Sequence, residues 1–489
     1  MRSGYTRIES GGLLFAQYNP EAEAPDLFDD IDGHAVATPH SVRKTSAIPG
    51  SDAKHFARPG EIVPLVCEDA DLLTLKPSAE RIARTLRDVR QFFHLDRLDR
   101  WPHIAALLAD MGDRGEPDDA PIASWDLGML LRQGLYRGER GEIEGPFRNR
   151  FLTEGNRSDG AEIPYNLKYD PILAVALNFL RDPTDRNWLL LANLGIGVAC
   201  SGIRYGSRDA LGKKDRKVKG RAEYSKGNGA QGIGFRPHWY ESPLRGMLVL
   251  AYLCEGRIKP IDMAVQALLD GIANEPPNVY AEEWGCREER FKLENATTAM
   301  QLPIPGAAIN WRAWVETALE HYAYRDEDEP TGFTVQDKGY PSPWMVIPFY
   351  EQRLRSALLI GRNDLARQAA NAGALAWEAA KVIEYGLEDG DRAWLRYRYD
   401  NRFVPAADLA VKDTQHVTFA VNFLEMIAHP DLEMAERAAF STVGDSLSAI
   451  TAGVRTPWEN VSIRDADQGP GFMKEAFLTI QNATRGLWR

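Results

Sequence analysis

Apolar residues recur at helical spacing over most of the chain, and four of the longest runs begin with the same signal. A residue with a short oxygen-bearing side chain comes first, followed by proline or threonine: Asp170-Pro171, Ser242-Pro243, Ser342-Pro343 and Asp413-Thr414. Such a side chain can accept hydrogen bonds from the first free N–H groups of a helix, and proline is tolerated at the first helical position. The pattern therefore predicts four helix starts.

Each predicted start opens a helical hairpin, in which a short polar break separates two helices. The breaks fall at residues 182–183, 256, 361 and 429–430, and the second helices cover residues 188–200, 261–272, 365–385 and 432–452. Further helices are predicted over residues 78–94, 101–111, 124–135, 311–324 and 472–487. A long polar, Gly-rich loop is expected over residues 136–162, and no element is predicted for residues 273–310.

The first 75 residues follow a different pattern. They are rich in Pro, Gly, Asp and Ser, with short apolar pieces at residues 12–16 and 62–66. Such composition is typical of loops and turns rather than of long helices. We therefore predict an irregular N-terminal arm over residues 1–75, with one or two short strands, and a helical catalytic domain over residues 76–489.

Composition excludes several classes of function. The 489-residue chain is 44% hydrophobic and has a formal net charge of −12, which disfavours a general nucleic-acid binder. It has no uninterrupted apolar segment of ~18 residues, so no membrane span is expected. The four cysteines are scattered, which argues against a disulfide scaffold and against a cysteine-based zinc site.

Neither a cofactor nor a metal site is expected. Residues 227–232 match the pattern GxGxxG, but no buried strand precedes them and no helix opens on them, as a dinucleotide site requires. The N-terminus lacks the apolar stretch of a secretory signal, which favours a cytoplasmic location. A signal peptide removed earlier would instead imply a secreted or periplasmic protein. The sequence leaves the oligomeric state open.

Residues 236–256 carry a resemblance to a known superfamily. A loop with His238, Trp239 and Tyr240 leads into an apolar helix that ends in Tyr-Leu-Cys-Glu-Gly, and residues 170–185 and 342–364 repeat the layout. This order resembles the (α/α)6 toroids of six-hairpin glycoside hydrolases and polysaccharide lyases. The resemblance implies an all-α fold, a toroid of helical hairpins, with substrate held near the N-terminal ends of parallel inner helices.

Side chains suited to sugar chemistry lie just before the predicted helix starts or close to them. The catalytic candidates are Glu241, Asp337, His238 and Tyr240. The substrate-binding candidates are Tyr165, Asn166, Trp239, Trp344, Arg402 and His416. Each also has a structural interpretation, as a core residue, a hydrogen-bond partner or a solvated turn. For Asp170 and Asp413 the helix cap is the preferred interpretation.

These residues predict a carbohydrate-active enzyme that cleaves glycosidic bonds in a poly- or oligosaccharide. Hydrolysis is favoured, because carboxylates recur near the helix starts and hydrolysis needs a pair of them. A polysaccharide lyase that acts on a uronate polymer is the alternative. Residues 204–226 support it with nine Lys or Arg against three Asp or Glu, which would attract an anionic polymer. A terpene-cyclase-like enzyme or a non-catalytic helical scaffold represents a different class.

Overall fold

The computed structural model describes residues 4–19, 62–66, 69–90, 93–96, 154–155, 162–163, 170–201, 242–274, 277, 285–302, 309–328, 343–384, 392–395, 418–428 and 484–485. This part of the chain is mostly helical, with 78% of it in helices, which agrees with the all-α prediction. The predicted helices over residues 101–111, 124–135 and 432–452 lie outside the described residues, as does Asp413.

The N-terminal arm contains a three-stranded antiparallel sheet, one strand more than the sequence predicted. Strands β1 (Gly4–Ser10), β2 (Leu13–Asn19) and β3 (Ile62–Val66) lie in that order. Phe15, the third residue of β2, is fully buried. Ser10 fastens the sheet to the helices, since its Oγ donates to the carbonyl oxygen of Arg257 at 2.6 Å and accepts from the N–H of Lys259 at 2.9 Å.

The helices follow the sheet in sequence. They are α1 (Asp69–Thr74), α2 (Ala79–Val89), α3 (Pro171–Arg181), α4 (Asp185–Ser201), α5 (Leu244–Cys254), α6 (Lys259–Ala273), α7 (Gly285–Gln301), α8 (Trp311–Asp328), α9 (Pro343–Ile360), α10 (Asn363–Ala380) and α11 (Thr418–Ile427). Two short antiparallel pairs complete the described elements. They are β4 (Glu154–Gly155) with β5 (Glu162–Ile163), and β6 (Lys381–Glu384) with β7 (Arg392–Leu395).

From α3 onward the helices form two rows. The inner row is α3, α5, α7, α9 and α11, each packed against the next, and the outer row is α4, α6, α8 and α10, each packed on the inner helix that precedes it. Burial differs among the helices. Every residue of α5 except Tyr252 is buried, whereas α8 and α10 alternate between buried and exposed positions. That alternation is the pattern of helices that cover a core.

Two contacts show how neighbouring inner helices are aligned. The N-terminal ends of α3 and α5 lie side by side, because the N–H of Gly246 donates to Asp170 at 2.8 Å. Between α7 and α9, Glu294 and Glu351 share one arginine, and one turn further along both helices the hydroxyls of Thr297 and Ser356 are 2.8 Å apart. Since the residue numbers of the contacts increase along both helices, α7 and α9 run in the same direction.

Several local predictions are confirmed and others are wrong. Helices start at Pro171 and Pro343, and the turns at Gly256 and Gly361 have the positive φ angles that favour glycine. Ser242 is not a cap, because the helix begins after Pro243 and no side chain caps it. The predicted helix over residues 365–385 ends at Ala380, where β6 begins.

Three further boundaries differ from the sequence prediction. The helix expected over residues 78–94 is capped by Ser78 as predicted but ends at Val89. Strands β4 and β5 lie in the long loop expected over residues 136–162, except that β5 extends one residue past it to Ile163. The largest difference is α7, a 17-residue helix where no element was predicted. Within the described residues, none of the helices is long and apolar enough to cross a membrane.

Candidate functional site

Almost all the site residues predicted from sequence lie outside the described residues. These are Glu241, Asp337, His238, Tyr240, Tyr165, Asn166, Trp239, Arg402 and His416. Trp344 is the second residue of α9. The convergence of these side chains on one pocket therefore stays a prediction. The described residues instead reveal two polar features inside the inner row, a buried carboxyl at α3 and a charged cluster around α7.

Asp170 is the N-cap of α3, as the sequence predicts. Its Oδ1 accepts from the N–H of Leu173 at 3.0 Å, and its Oδ2 accepts from the N–H of Gly246 at 2.8 Å. The residue has a left-handed backbone, with φ at 54°, and is 1% exposed. Burial raises the pKa of Asp170 to about 6, and the charge of Arg245 and the two N–H donors only partly oppose this. One side chain thus links two inner helices.

The sequence of helix α7 is rich in polar residues, but most of the helix is buried in the fold. Every residue from Glu289 to Ala299 is buried, including Arg290, Lys292 and Glu294. Charge pairs at helical spacing accompany this burial, since Lys292 contacts Glu289 at 2.8 Å and Arg290 contacts Glu294 at 3.2 Å. Such pairs at i,i+3 and i,i+4 stabilise a helix. They are the signal in the sequence that could have revealed α7.

Six charged side chains form an arginine–glutamate cluster between α5, α7, α9 and the C-terminal residues. The members are Arg245, Arg290, Glu294, Glu351, Arg355 and Arg485, each at most 5% exposed. Arg485 lies between both glutamates, with its Nη1 2.6 Å from Glu294 and 3.1 Å from Glu351. Arg245 approaches the second oxygen of Glu294 at 3.3 Å, and Arg355 contacts Glu351 at 2.7 Å.

The cluster fixes the charge state of Glu294. Burial alone would raise the pKa of this carboxyl, but the guanidinium groups of Arg245, Arg290 and Arg485 outweigh burial and hold the pKa at about 2. Burial lowers the pKa of Arg290 from its usual value. Glu294 therefore stays ionised near neutral pH. A carboxylate held in this way is a poor proton donor, so Glu294 is unsuited to act as a general acid.

A cavity of ≈ 20 Å³ lies inside this cluster. Its walls are Phe93, Arg245, Glu294, Thr297, Thr298, Gln301, Gln352, Arg355 and Arg485. A space of this size holds about one water molecule. Most of the neutral polar groups in the wall are already engaged, since Thr298 donates to the carbonyl oxygen of Glu294 at 2.9 Å and Gln352 donates to Ser356 at 2.9 Å. Among the described residues, neither polar atom of the Gln301 amide has a hydrogen-bond partner.

A second polar group lies between the inner and outer rows. Glu289 accepts from Lys292 at 2.8 Å and from the hydroxyl of Tyr322 on α8 at 2.6 Å. The guanidinium of Arg353 lies 5.0 Å from the ring centre of Tyr350. Burial and the nearby Glu289 raise the pKa of Tyr322 well above its usual value, so the hydroxyl stays protonated and remains a donor. This group joins the two rows.

In the described part of the chain, the small cavity and the two glutamates of the cluster lie together. The cluster presents guanidinium groups to a small cavity, and both glutamates are already paired with arginines. Within the same residues, no group of three or more His, Cys, Asp or Glu side chains could hold a metal ion. Comparisons of the chain with protein-family models, with curated proteins and with solved structures found no match.

Proposed function

We propose that the protein is a carbohydrate-active enzyme that cleaves glycosidic bonds, with hydrolysis as its reaction. We also propose that the two rows of helices belong to an (α/α)6-type toroid. In such a fold, the N-terminal ends of parallel inner helices surround one substrate site. The proposal concerns residues 76–489 as the catalytic domain, with the N-terminal arm packed beside it.

The observation that supports this most is the junction of two inner helix starts at Asp170. The predicted candidates lead into these same two starts in the sequence: Asn166 comes four residues before Asp170, and Glu241 directly precedes Ser242. Since each peptide unit spans under about 4 Å, the covalent chain limits how far these candidates can be from the joined helix ends. One pocket at this junction would bring together side chains that are about 75 residues apart in sequence.

In the proposed hydrolysis, two carboxyl groups flank the scissile bond. One protonates the leaving oxygen while the other activates water or attacks the sugar, and their separation decides the stereochemistry. Glu241 and Asp337 take these roles. Trp239 and Trp344 offer flat faces for sugar rings, and Tyr165, Asn166, Arg402 and His416 offer hydrogen bonds to hydroxyl groups. Asp170 is not part of this set, because its two oxygens already accept two backbone N–H groups.

β-Elimination on a uronate polymer is the second candidate, and the arginine–glutamate cluster favours it. A lyase must neutralise the uronate carboxylate before a base can remove the adjacent proton. Four of the six side chains in this cluster are arginines, which come from α5, α7, α9 and the C-terminal residues, and buried arginines are rare in proteins. In this mechanism Tyr240 or His238 removes the proton, with Asn166 and the basic segment over residues 204–226 assisting.

A substrate screen separates the two reactions. Purified protein is incubated with neutral glycans and with uronate glycans, and both new reducing ends and ultraviolet absorbance are followed. A hydrolase gives reducing ends without the absorbance of an unsaturated uronate. A lyase gives both signals together. Absence of cleavage on every glycan, with the fold intact, would overturn the enzyme proposal and favour a scaffold or a terpene-cyclase-like protein.

Matched variants then test the residues. Glu241→Gln and Asp337→Asn should each abolish hydrolysis by removing one of two required carboxyl groups, with a loss of at least about 10²-fold in kcat. Glu320→Gln is the control, since Glu320 is an exposed carboxylate on α8 that pairs with Arg362 at 2.7 Å. Full activity in both test variants would remove these two residues from the mechanism. In the lyase case, Tyr240→Phe and His238→Gln become the decisive changes.

A further inference from the structure

The small cavity inside the arginine–glutamate cluster lies on the side of the inner row that faces away from the outer helices. On α7, Glu289 accepts a hydrogen bond from Tyr322 of the outer helix α8. Glu294 and Gln301 follow Glu289 by five and twelve residues, which places them about 140° and about 120° around α7 from the face that contacts α8. Both residues line the cavity. The cavity therefore lies on the inside of the proposed toroid.

The charged groups in the cavity wall already have partners of opposite charge. Arg245 contacts Glu294 at 3.3 Å. Arg355 contacts Glu351 at 2.7 Å, and Arg485 contacts both glutamates. A further buried charge would need a partner of its own, and without one its burial is strongly unfavourable. The wall therefore favours a neutral ligand.

The Gln301 amide decides which neutral ligand fits. Its nitrogen and its oxygen are both buried, and neither has a hydrogen-bond partner among the described residues. A ligand that satisfies both atoms must accept one hydrogen bond and donate another, as an O–H group does. The hydroxyl of Thr297, in the same wall, lies 2.8 Å from that of Ser356 and keeps the capacity for one more hydrogen bond. The volume of ≈ 20 Å³ admits one oxygen with these partners.

We propose that this cavity binds the oxygen of one neutral O–H group, which the amide of Gln301 and the hydroxyl of Thr297 hold. The O–H group belongs either to a water molecule or to a hydroxyl of a bound sugar, and both sources offer the same chemistry. The water case is independent of sugar cleavage. The sugar case rests on the proposed function, with the cavity as the innermost contact of the substrate.

Gln301→Met tests the water case, because methionine is unbranched, similar in length and equally suited to a helix but has no amide. An unsatisfied buried amide destabilises the folded state, so its removal would raise the melting temperature. If water binds the amide, the substitution should instead lower the melting temperature, by roughly 1–2 °C for a chain of this length. A crystal structure of the free wild-type protein should then show one solvent oxygen within about 3.2 Å of the Gln301 amide.

A glycan that the substrate screen shows to be cleaved tests the sugar case. If a sugar hydroxyl binds in the cavity, Gln301→Met should raise KM for that glycan by about tenfold, the effect of one lost hydrogen bond. Gln368→Met is the matched control, since Gln368 lies on α10 and donates to the carbonyl oxygen of Ala323 at 2.8 Å, outside the cavity wall. This control should lower the melting temperature, because it breaks a direct hydrogen bond, and should leave KM unchanged.

The combined results decide the proposal. A lower melting temperature of Gln301→Met together with a solvent oxygen at the amide supports water, and a raised KM supports a sugar hydroxyl. The proposal is overturned if KM is unchanged and either the variant melts no lower than the wild-type protein or no solvent oxygen lies at the amide. If no glycan is cleaved, the melting temperature and the crystal structure decide alone, so this proposal and the proposed function can fail separately.

Discussion

Two helix–helix contacts in the inner row depend on different interactions. Between α3 and α5 the helices touch through backbone, because an added Cβ on Gly246 would lie 2.3 Å from the Leu173 nitrogen and 2.5 Å from the Ile172 carbonyl carbon. One carboxyl, Asp170, joins the two helix starts. Between α7 and α9 the helices are joined by ionised side chains, with Arg485 placed between Glu294 and Glu351.

The comparison shows that helices of the inner row can be buried against each other in two ways, by close apolar packing or by paired charges. Close packing around a glycine leaves few polar groups that need hydrogen-bond partners, so the α3–α5 contact contains only one hydrogen-bonded carboxyl, that of Asp170. A charged contact must offset the desolvation of every ion with partners of opposite sign. The two contacts consequently respond differently to acid. Burial raises the pKa of Asp170 to about 6, whereas three arginines hold the pKa of Glu294 at about 2.

Glu294→Gln should have the largest effect of the changes that target these contacts. The substitution removes the negative charge of Glu294, with which Arg245, Arg290 and Arg485 interact, while these three guanidinium groups stay buried. Breaking a buried ion pair in this way destabilises a protein by about 3–5 kcal/mol. Urea unfolding at pH 7 measures the loss, and Glu320→Gln, an exposed pair on α8, is the control that should change stability little.

The acid response of this variant adds a second check. The folded pKa of Glu294, about 2, lies below the usual value of 4.5, so its contribution is complete above pH 4.5 and is lost as pH falls toward 2. The variant has no such group, so its stability deficit should shrink over that range. A deficit that stays constant from pH 5 to 2 would mean that the arginines do not act through the charge of Glu294.

Gly246→Ala should destabilise the other contact by about 3 kcal/mol, the upper end for overpacking. The new methyl group meets backbone atoms of α3 and the Oδ1 of Asp170, so the two helices must separate. Gly361→Ala is the matched control, since its φ of +78° strains a side chain but nothing lies within 4 Å. Its cost should be only about 1 kcal/mol. Equal losses in the two variants would contradict the close contact of α3 and α5.

The same contrast explains what could be predicted from sequence. Helices α3 and α5 are strongly apolar, and α9 begins with an apolar stretch. All three were predicted at nearly their observed positions, because a hydrophobic pattern indicates which helices are buried. Helix α7 was missed, since its burial depends on partners elsewhere in the chain, such as Arg245 and Arg485. A single sequence does not reveal which distant charges will neutralise one another.

The helix caps also show that a single sequence does not reveal tertiary contacts. The signal at Asp170 correctly predicted a helix cap. It did not predict that Asp170 also accepts a hydrogen bond from the N–H of Gly246, because that contact depends on how α3 and α5 pack together. Ser242 carries the same signal and is no cap, since the helix begins after Pro243. The local pattern thus predicts where helices begin, while the tertiary contact decides what the residue at the start does. The candidate catalytic residues lie outside the described part and stay predictions.

Asp170→Asn should give the smallest of the three effects at pH 7, about 1 kcal/mol. The amide can still accept from Leu173 but cannot accept from Gly246 at the same time, and an unsatisfied buried N–H is unfavourable. Removal of a buried negative charge partly offsets this loss. Asparagine also tolerates the left-handed backbone at this position, where φ is 54°.

The pH dependence of this variant distinguishes the two contacts most clearly. The folded pKa of Asp170, about 6, lies above the usual value of 3.8, so the folded state binds the proton more tightly. The stability that this group contributes is therefore complete below about pH 4 and is lost as pH rises through 6. Asparagine does not titrate, so the deficit of the variant should grow as pH falls from 6 to 4, opposite in direction to that of Glu294→Gln. If the stability deficits of the two variants changed with pH in the same direction, burial would not control the pKa of Asp170.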